Sequence, residues 1–295
     1  MLDGIFNVYK EKGYTSHDVV ARLRGIAGQK KVGHTGTLDP DAEGVLPVCL
    51  GKATKVCDVL TDKSKTYQAV LLLGRRTDTQ DISGACLEER DTSGLAKETV
   101  RRAVESFLGD YMQTPPMYSA LKVDGKKLYE LAREGKTVER KARKVQIHRI
   151  EIRKMDLPRV WIEVECSKGT YIRTLCDDIG ELLGVGGCME ELLRTRVGHF
   201  RIEDSVRLSE LERYREEGTL EEHLIPVDSV FADCPRLDVP ERLEPLLYNG
   251  NPLRLPEGED GQLVRVYDSR GRFIALYRYQ QKKHIYKNEK MFFSP

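Results

Sequence analysis

Strand-like and helix-like segments follow one another along this chain in an irregular order. The stretches VQIHRIEI (145–152) and RVWIEVECS (159–167) alternate apolar and polar residues, as adjacent strands do. By contrast, TSHDVVARLRGIAG (15–28) has the apolar spacing of a helix, with Thr15 or Ser16 as its cap and a glycine at its end. A doubly wound sheet needs a steady strand–helix–strand cadence. The irregular order therefore predicts an α+β fold.

Three further segments carry specific local expectations. VLPVCLG (45–51) is typical of a strand, and we expect Pro47 to interrupt it because proline cannot donate a ladder hydrogen bond. MYSALKVDGKKLYELAREG (117–135) predicts a strand, a Val-Asp-Gly turn and a helix. KETVRRAVESFLG (97–109) is typical of a helix. Its expected apolar face consists of Val100, Val104, Phe107 and Leu108.

A domain boundary is expected near residues 228–242, where proline and aspartate punctuate the chain. Beyond it, GQLVRVYDSRGRFIALYRYQ (261–280) is a strong hairpin signal, because Asp-Ser-Arg-Gly separates two β-rich runs. The 295 residues are near the upper limit of what one hydrophobic core organises. We therefore predict a large domain at 1–232 and a small β-rich domain at 235–295.

The composition argues against several classes of protein. No apolar run approaches the ~18 residues of a membrane helix and no targeting segment is recognisable, so we expect a cytoplasmic protein with no membrane partner. The seven cysteines include no C-x-x-C pair, which argues against a disulfide framework and a zinc site. Neither a P-loop nor a dinucleotide-binding glycine motif is present. We expect neither a metal nor a cofactor.

Charge is unevenly distributed along a chain whose net charge is only +1. Residues 122–154 contain twelve Lys or Arg against five Asp or Glu, and residues 262–290 contain eight against two. Residues 203–222 are acidic, with three against eight. Two basic segments in a near-neutral chain suggest a bound polyanion such as a nucleic acid, although solvated surface charge gives the same pattern.

The glycine-rich loop GHTGTLDP (33–40) places an aspartate directly before a proline. The proline disfavours helical geometry at Asp39, so its carboxylate is held on an extended or turning backbone. This placement suits a reactive side chain, although an Asx-type turn with a capping aspartate is the more ordinary interpretation of an Asp-Pro pair. A metal-dependent hydrolase loop is a third interpretation, although the spacing of its acidic and imidazole groups fits no standard metal site. Those groups are His34, Asp39, Asp41 and Glu43.

This loop and four later blocks resemble the motifs of one family. GHTGTLDPDAEGVLPVCLG (33–51) resembles the signature GHTG-x-LDP-x-A-x-G-x-LP-x-C-x-G of the bacterial tRNA pseudouridine-55 synthases, the TruB family. The other blocks stand in the family's order. They are GKATK (51–55), SKTYQAVLLLGRRTDTQDISG (64–84), PPMYSALKVDGKKLYELAREG (115–135) and CSKGTYIRTLCDDIGELLG (166–184).

The resemblance spans residues 3 to about 232 and implies the pseudouridine synthase fold, a mixed or antiparallel central sheet with flanking helices. The tail resembles, more weakly, the small RNA-binding PUA domain. The implied function is cofactor-free isomerisation of uridine 55 in the T-arm loop of tRNA. The resemblance also implies a basic, RNA-gripping insertion near 112–150, a monomer, and no required protein partner. Two alternatives stay open: a synthase directed by a guide RNA, and a tRNA-folding chaperone without essential chemistry.

The resemblance also implies catalytic roles. Asp39 matches the family's nucleophile, since carboxylates are recognised glycosyl nucleophiles. Arg173 matches the arginine that pairs with this nucleophile, where a planar bidentate partner keeps a carboxylate charged. Tyr67 matches the tyrosine that stacks on the target base and is proposed to remove the C5 proton late in the reaction. Without the resemblance, each is more simply interpreted as a packing, capping or surface residue.

Substrate-binding residues follow in the same way. Tyr171 and Leu192 match positions that line the uracil pocket. His34 matches a histidine near the stack that the target base leaves, so the resemblance assigns it to base flipping and RNA binding. Lys55 is expected to contact phosphate or to support the Asp39 loop. Lys10 is expected to contact substrate, although the proline that follows it in the family pattern is a glutamate in this chain.

Overall fold

The computed structural model describes residues 1–123 and 125–292. Its strands are β1 (Gly4–Lys10), β2 (Val32–His34), β3 (Glu43–Leu50), β4 (Lys65–Leu73), β5 (Arg75–Thr77), β6 (Cys86–Glu89), β7 (Gly109–Gln113), β8 (Lys122–Val123), β9 (Lys126–Lys127), β10 (Arg143–Asp156), β11 (Arg159–Cys166), β12 (Gly187–Val197), β13 (Phe200–Arg201), β14 (Arg236–Asp238), β15 (Leu263–Tyr267), β16 (Phe273–Gln280) and β17 (Ile285–Met291). Its α-helices are α1 (Ser16–Ala27), α2 (Cys57–Thr61), α3 (Lys97–Glu105), α4 (Leu128–Arg133), α5 (Ile172–Leu182), α6 (Leu208–Glu216) and α7 (Glu244–Tyr248). None of the helices in this described part of the chain is long and apolar enough to cross a bilayer.

Nine strands form the main sheet, which is mixed. Seven lie in the order β1-β3-β12-β4-β11-β10-β7, with β2 beside β3 and β13 beside β12. The neighbours β3 and β12 run parallel, and the other pairs are antiparallel. Helices α3 and α5 pack their apolar residues onto one face of this sheet, in the largest buried cluster. The predicted α+β fold with a mixed central sheet and flanking helices is confirmed.

Helix α1 begins and ends where its sequence predicts. The Thr15 hydroxyl accepts the Asp18 backbone N–H at 3.1 Å, and the Asp18 carboxylate accepts the Thr15 N–H at 2.8 Å, which together form a capping box. Gly28 then ends the helix with a φ of 62°, a left-handed conformation that glycine adopts without strain. The apolar side of α1 is buried against β1 and β3. The glycine-rich loop therefore starts close to a well-anchored helix.

Strand β3 runs through Pro47 without interruption, so the expected break there is wrong. Pro47 pairs with Asn7 of β1, and its carbonyl accepts the backbone N–H and the hydroxyl of Thr35, both at 3.2 Å. Thr35 lies one residue beyond the end of β2. The missing proline N–H consequently falls where the β2–β3 ladder is already ending, and the strand loses little by it.

Helix α3 is shorter than its apolar spacing predicts. It ends at Glu105, and although Val100 and Val104 are buried as expected, Phe107 and Leu108 lie beyond its last turn. Phe107 still packs against the core, whereas Leu108 is 58% exposed. The chain turns at Ser106 to enter β7, and this turn removes Leu108 from the helical face.

The segment between β7 and β10 leaves the main sheet over residues 114–142. It contains the two-residue strands β8 and β9, which pair with each other, and helix α4. A short strand and the expected helix are therefore present, and the predicted Val-Asp-Gly turn includes Asp124, which lies outside the described residues. The predicted insertion near 112–150 begins in β7 and ends in β10, so only residues 114–142, the off-sheet segment, leave the main sheet. Much of the basic charge of residues 122–154 lies on this off-sheet segment and on β10.

The C-terminal strands form a second sheet in the order β14-β15-β16-β17. Strands β15 and β16 make the predicted hairpin, and the Asp268 carboxylate accepts two backbone N–H groups in its turn. Leu276 and Phe292 pack with Phe231 and with Val45 of the main sheet in one buried cluster. A small C-terminal β-rich domain is thus present. The boundaries at 1–232 and 235–295 stay a prediction.

The position of Leu108 outside the core can be tested against a buried leucine of α5. Leu175 is fully buried, so Leu175→Ala is expected to lower the free energy of unfolding by about 2–5 kcal/mol. Leu108→Ala is expected to change it by less than about 0.5 kcal/mol, because it removes no buried contact. Urea denaturation measures both. If Leu108→Ala lowers the free energy of unfolding as much as Leu175→Ala does, Leu108 is part of the buried core.

Candidate active site

A short loop after β2 carries Asp39. Gly36 has a φ of 146°, which a residue with a side chain adopts only with strain. On one side of Asp39, the Leu38 N–H donates to the Ser16 hydroxyl on α1 at 2.9 Å, and the Leu38 side chain is buried. On the other side, the Ala42 N–H donates to the Asp39 carbonyl at 3.1 Å. The backbone is therefore anchored on both sides, and the Asp39 carboxylate lines a cavity.

Lys10 lies beneath this loop and is fully buried. Its Nζ donates to the carbonyl oxygens of Ala42 at 2.6 Å, and of Pro40 and Glu11, both at 3.1 Å. Burial lowers the pKa of Lys10 to about 8, and the three carbonyls offset the cost of placing a cation there. The structure gives Lys10 a different place from the one expected. Its amino group has no exposed surface for a substrate and instead supports the turn that follows Asp39.

The Arg173 guanidinium reaches the Asp39 carboxylate from the first turn of α5. Arg173 Nε lies 3.1 Å from Asp39 Oδ2, and Nη1 lies 3.3 Å from Asp81 Oδ2. Nη1 also donates to the Thr79 carbonyl at 3.1 Å and Nη2 to the Tyr118 carbonyl at 2.9 Å. Only 6% of the arginine side chain is exposed, so these contacts fix its plane. The pairing of Asp39 with Arg173 expected from the resemblance is present.

Asp81 is a member of this cluster that sequence reasoning missed. Its carboxylate accepts the hydroxyls of Thr79 and Ser83 and the Ser83 N–H as well as contacting Arg173. Asp81 stands in the stretch DTQDISG (78–84), among other polar residues. Nothing in a single sequence distinguishes Asp81 from Asp78 there, because only the folded turn brings one of them to the arginine.

Two opposing effects act on the Asp39 carboxyl. The surrounding protein withdraws it from water, and this desolvation is the larger effect, so the pKa of Asp39 is raised. The positive charge of Arg173 lowers the pKa and Asp81 raises it. The Asp39 side chain nevertheless keeps 43% of its surface exposed, toward the cavity. The carboxylate is accessible to a ligand, and the charge of Arg173 favours its ionised form.

Tyr67 lines the same cavity from strand β4 and is buried. Burial raises the pKa of its hydroxyl, while the positive charge of Arg194 lowers it. Arg194 is another residue that sequence reasoning missed. It is 1% exposed, and its Nε donates to the Val45 carbonyl at 2.7 Å while Nη1 donates to the Thr37 carbonyl at 3.4 Å. An arginine on an alternating strand gives no signal that it points inward.

One cavity of about 1480 Å³ brings most of the predicted residues together. The predicted residues on its wall supply a carboxylate, a guanidinium, two tyrosine rings and an apolar side chain, a mixture that suits a planar polar ligand. The predicted residues on this wall are Asp39, Tyr67, Tyr171, Arg173 and Leu192. The three partly buried members, Asp39, Tyr171 and Leu192, keep surface available to a ligand.

His34 and Lys55 lie away from this wall. His34 is half-buried behind the loop, where its Nδ1 is 3.0 Å from the Gly36 carbonyl oxygen, and burial lowers its pKa. The exposed His17 of α1 lines the cavity instead and meets the His34 ring edge-on, with centroids 5.3 Å apart. Lys55 Nζ donates to the Met291 carbonyl of the small sheet at 2.7 Å. Lys55 therefore joins the two sheets and does not support the Asp39 loop.

The loop has no arrangement that suits a metal ion. Across residues 1–123 and 125–292, no three His, Cys, Asp or Glu side chains are grouped closely enough to hold one. Asp41 is exposed, and Glu43 begins β3 and accepts the Tyr9 hydroxyl at 3.3 Å. The metal-dependent hydrolase interpretation of the loop thus has no ligand cluster in the described structure.

Solved structures share this fold over nearly the whole chain. An H/ACA RNP bound to a substrate RNA containing 2′-deoxyuridine matches with a TM-score of 0.74 and 25% identity, over 98% of this chain and 85% of the other. A Cbf5-Nop10-Gar1 complex matches with a TM-score of 0.74 and 27% identity, over 99% and 86%. The fold, together with an aspartate, an arginine and a tyrosine around one cavity, defines the class of the protein as a pseudouridine synthase.

Family models and curated relatives give the particular family. The TruB family pseudouridylate synthase N-terminal domain matches residues 24–172, and the tRNA pseudouridylate synthase B C-terminal domain matches residues 173–232. The tRNA pseudouridine synthase B of Lachnoclostridium phytofermentans is 51% identical over 99% of this chain and 100% of its own. That of Bacillus pumilus is 41% identical over 99% and 98%. The chain belongs to the TruB family and is an enzyme of the isomerase class.

The support that Lys10 gives to the Asp39 loop predicts a stability effect. Lys10→Met keeps the approximate length of the side chain but removes the three hydrogen bonds that Nζ donates to carbonyl oxygens, so the free energy of unfolding should fall by about 1–3 kcal/mol. Lys12→Met is the control, because Lys12 is exposed. Thermal or urea denaturation measures both. If Lys10→Met is as stable as Lys12→Met, the three hydrogen bonds do not hold the loop.

Proposed function

We propose that this enzyme converts uridine 55 in the T-arm loop of tRNA to pseudouridine, with Asp39 as the nucleophile. The observation that carries the proposal is the contact between Asp39 and Arg173 at the wall of a cavity that Tyr67 also lines. The relatives named above act, by their names, on tRNA. The match to the family's uridine-55 motifs supports the choice of position.

The reaction is an isomerisation that consumes and releases nothing. The N1–C1′ glycosidic bond breaks with its electron pair moving to the base, the detached uracil turns over, and C5 forms a new bond to C1′. The hydrogen on C5 is lost as a proton, and N1 gains one. Asp39 forms and releases a covalent bond on the way, either to C1′ of the ribose or to C6 of the base, and both routes balance.

We assign a role to each of the predicted residues on the cavity wall. Arg173 keeps Asp39 ionised and fixes its plane, because a charged partner opposes the effect of desolvation on its pKa. Tyr67 stacks on the extruded base and takes part in removing the C5 proton, with Arg194 favouring the phenolate form that this needs. Tyr171 and Leu192 enclose the uracil. Aromatic and apolar contacts to both faces of a flipped base are typical of such pockets.

The remainder of the chain supplies RNA contacts. The basic off-sheet segment and the basic C-terminal sheet neutralise phosphates, and His34 fills space that the extruded base vacates. We propose a monomer that works without a guide RNA or a protein partner. The relatives at 41% and 51% identity match over their whole lengths, whereas the H/ACA RNP, whose name implies a larger assembly, is only 25% identical.

The nucleophile assignment predicts different fates for two neighbouring aspartates. Asp39→Asn should lower the rate of tritium release from [5-³H]uridine-labelled tRNA by roughly 10³-fold or more, because an amide cannot form the covalent bond. Asp41→Asn is the matched control in the same loop and should stay within about threefold of wild type, since Asp41 is exposed and the family resemblance assigns it no catalytic role.

Three outcomes of this assay would overturn parts of the proposal. Equal tritium release by wild type and Asp39→Asn would remove Asp39 from the chemistry. Wild-type enzyme that acts on the T-arm only after a guide RNA is added would favour the guide-directed alternative. Tight tRNA binding by the wild type with no tritium release would favour the chaperone alternative.

The opposing effects on Asp39 predict a pH dependence. Activity needs the ionised carboxylate, so kcat/KM should fall as the pH drops through the pKa of Asp39, which lies above its ordinary value. Arg173→Lys removes the planar guanidinium whose Nε contacts Asp39 Oδ2, and should move this acid limb to higher pH. Single-turnover rates between pH 4 and 8 measure the shift. An acid limb at the same pH in both proteins would show that Arg173 does not control the ionisation of Asp39.

A further inference from the structure

A buried glutamine holds the backbone at the start of α5. Gln113 is 1% exposed, and its Oε1 accepts the Tyr171 N–H at 2.7 Å while its Nε2 donates to the Tyr171 carbonyl at 3.0 Å. Nε2 also donates to the Tyr111 hydroxyl at 3.2 Å. One side-chain amide thus satisfies both backbone groups of a single residue, which needs a donor and an acceptor side by side. Asparagine is too short by one methylene group.

Tyr171 is the residue from which α5 begins. Its carbonyl also accepts the Leu175 N–H at 3.1 Å, the first hydrogen bond of the helix, and no side chain caps this end. The Tyr171 ring lines the cavity, and Arg173 follows two residues later. We call the two hydrogen bonds between Gln113 and the Tyr171 backbone the Gln113 clamp. This clamp sets the position of the Tyr171 ring in the cavity and the direction in which the Arg173 side chain leaves the helix.

The clamp has a second support on the same strand. The Tyr111 hydroxyl donates to the Asp178 carboxylate, two turns further along α5. Gln113 is also the last residue of β7, where the chain leaves the sheet toward the off-sheet segment. That segment touches Arg173 as well, because the Tyr118 carbonyl accepts its Nη2. The end of β7 is therefore in contact with the catalytic cluster on two sides.

We propose that Gln113 is a positioning residue of the isomerisation: its amide holds Tyr171 and the start of α5 so that Arg173 meets Asp39. The expected effect on the reaction rate rests on the proposed function, whereas the expected effect on the position of Arg173 does not. Gln113 touches neither the uracil nor Asp39. It acts through Tyr171 and Arg173, and a displacement of about 1 Å at reacting groups is enough to cost roughly 10²-fold in rate.

Two substitutions of Gln113 remove either one or both of its hydrogen bonds to Tyr171. Gln113→Glu keeps the acceptor for the Tyr171 N–H but turns a carboxylate oxygen toward the Tyr171 carbonyl, which repels it. Gln113→Met keeps the shape and loses both bonds. Tyr111→Phe is the control, because it removes the Asp178 contact and the Gln113 Nε2 bond to the Tyr111 hydroxyl but keeps both hydrogen bonds between Gln113 and Tyr171. All three lose buried hydrogen bonds, so a general loss of stability would appear in all three.

The test is the titration of the Asp39 carboxyl by ¹³C NMR in each free protein, with the signal assigned from Asp39→Asn. Both Gln113 variants should titrate at higher pH than wild type, because a displaced Arg173 stabilises the carboxylate less, and Tyr111→Phe should titrate like wild type. In single-turnover assays on tRNA, both Gln113 variants should be about 10–100-fold slower, with KM within about threefold.

Opposite results would overturn the proposal. If Asp39 titrates in both Gln113 variants as in wild type, Gln113 does not position Arg173, whatever the rates are. The same follows if Tyr111→Phe shifts the titration as far as the Gln113 variants do, since the effect would then be a general loosening of β7. Wild-type protein that is inactive on tRNA would refute the proposed function alone, because the titration needs no substrate.

Discussion

The guanidinium of Arg173 joins parts of the chain that are distant in sequence. Its contacts reach Asp39 in the loop after β2, the turn at residues 79–81, and the Tyr118 carbonyl in the off-sheet segment. A carboxylate that is partly withdrawn from water is costly to keep ionised, and an arginine nearly closed off from solvent is costly without partners. The contact therefore stabilises both charged groups, and both line the cavity.

The main sheet supplies the framework for this contact. Strands β3 and β12 are paired directly only at Leu193 with Glu43 and at Arg194 with Gly44, immediately after the Asp39 loop. At Gly44, which has a φ of 107°, a side chain would come within 2.2 Å of the Arg194 carbonyl oxygen. Only glycine permits this approach, and it brings the Arg194 side chain beneath the loop. The loop is therefore held by Lys10, Ser16 and Arg194 before any substrate arrives.

The sequence predicted local structure well and side-chain partners less well. The capping box of α1, the paired strands β10 and β11, and the hairpin at β15 and β16 follow from residue spacing and turn chemistry, which act over a few residues. Pro47 and Leu108 were placed incorrectly because their surroundings depend on the end of a neighbouring strand and on a turn. The roles of Lys10, Asp81 and Gln113 arise from contacts across the fold. Motif resemblance found Asp39, Arg173 and Tyr67, which residue types alone did not distinguish from packing or surface residues.

In the proposed reaction, the loop presents Asp39 to a uridine that has been drawn out of the RNA. The most direct measurement is a crystal structure of Asp39→Asn bound to a T-arm stem-loop that contains unmodified uridine. The target uracil is predicted to lie in the cavity with Tyr67 against its face, and the substituted side chain at position 39 within about 3.5 Å of C1′ or C6, the distance of a reactive arrangement. A uridine that stays stacked in the RNA, or one that enters the cavity with both atoms beyond about 6 Å from that side chain, would contradict the account.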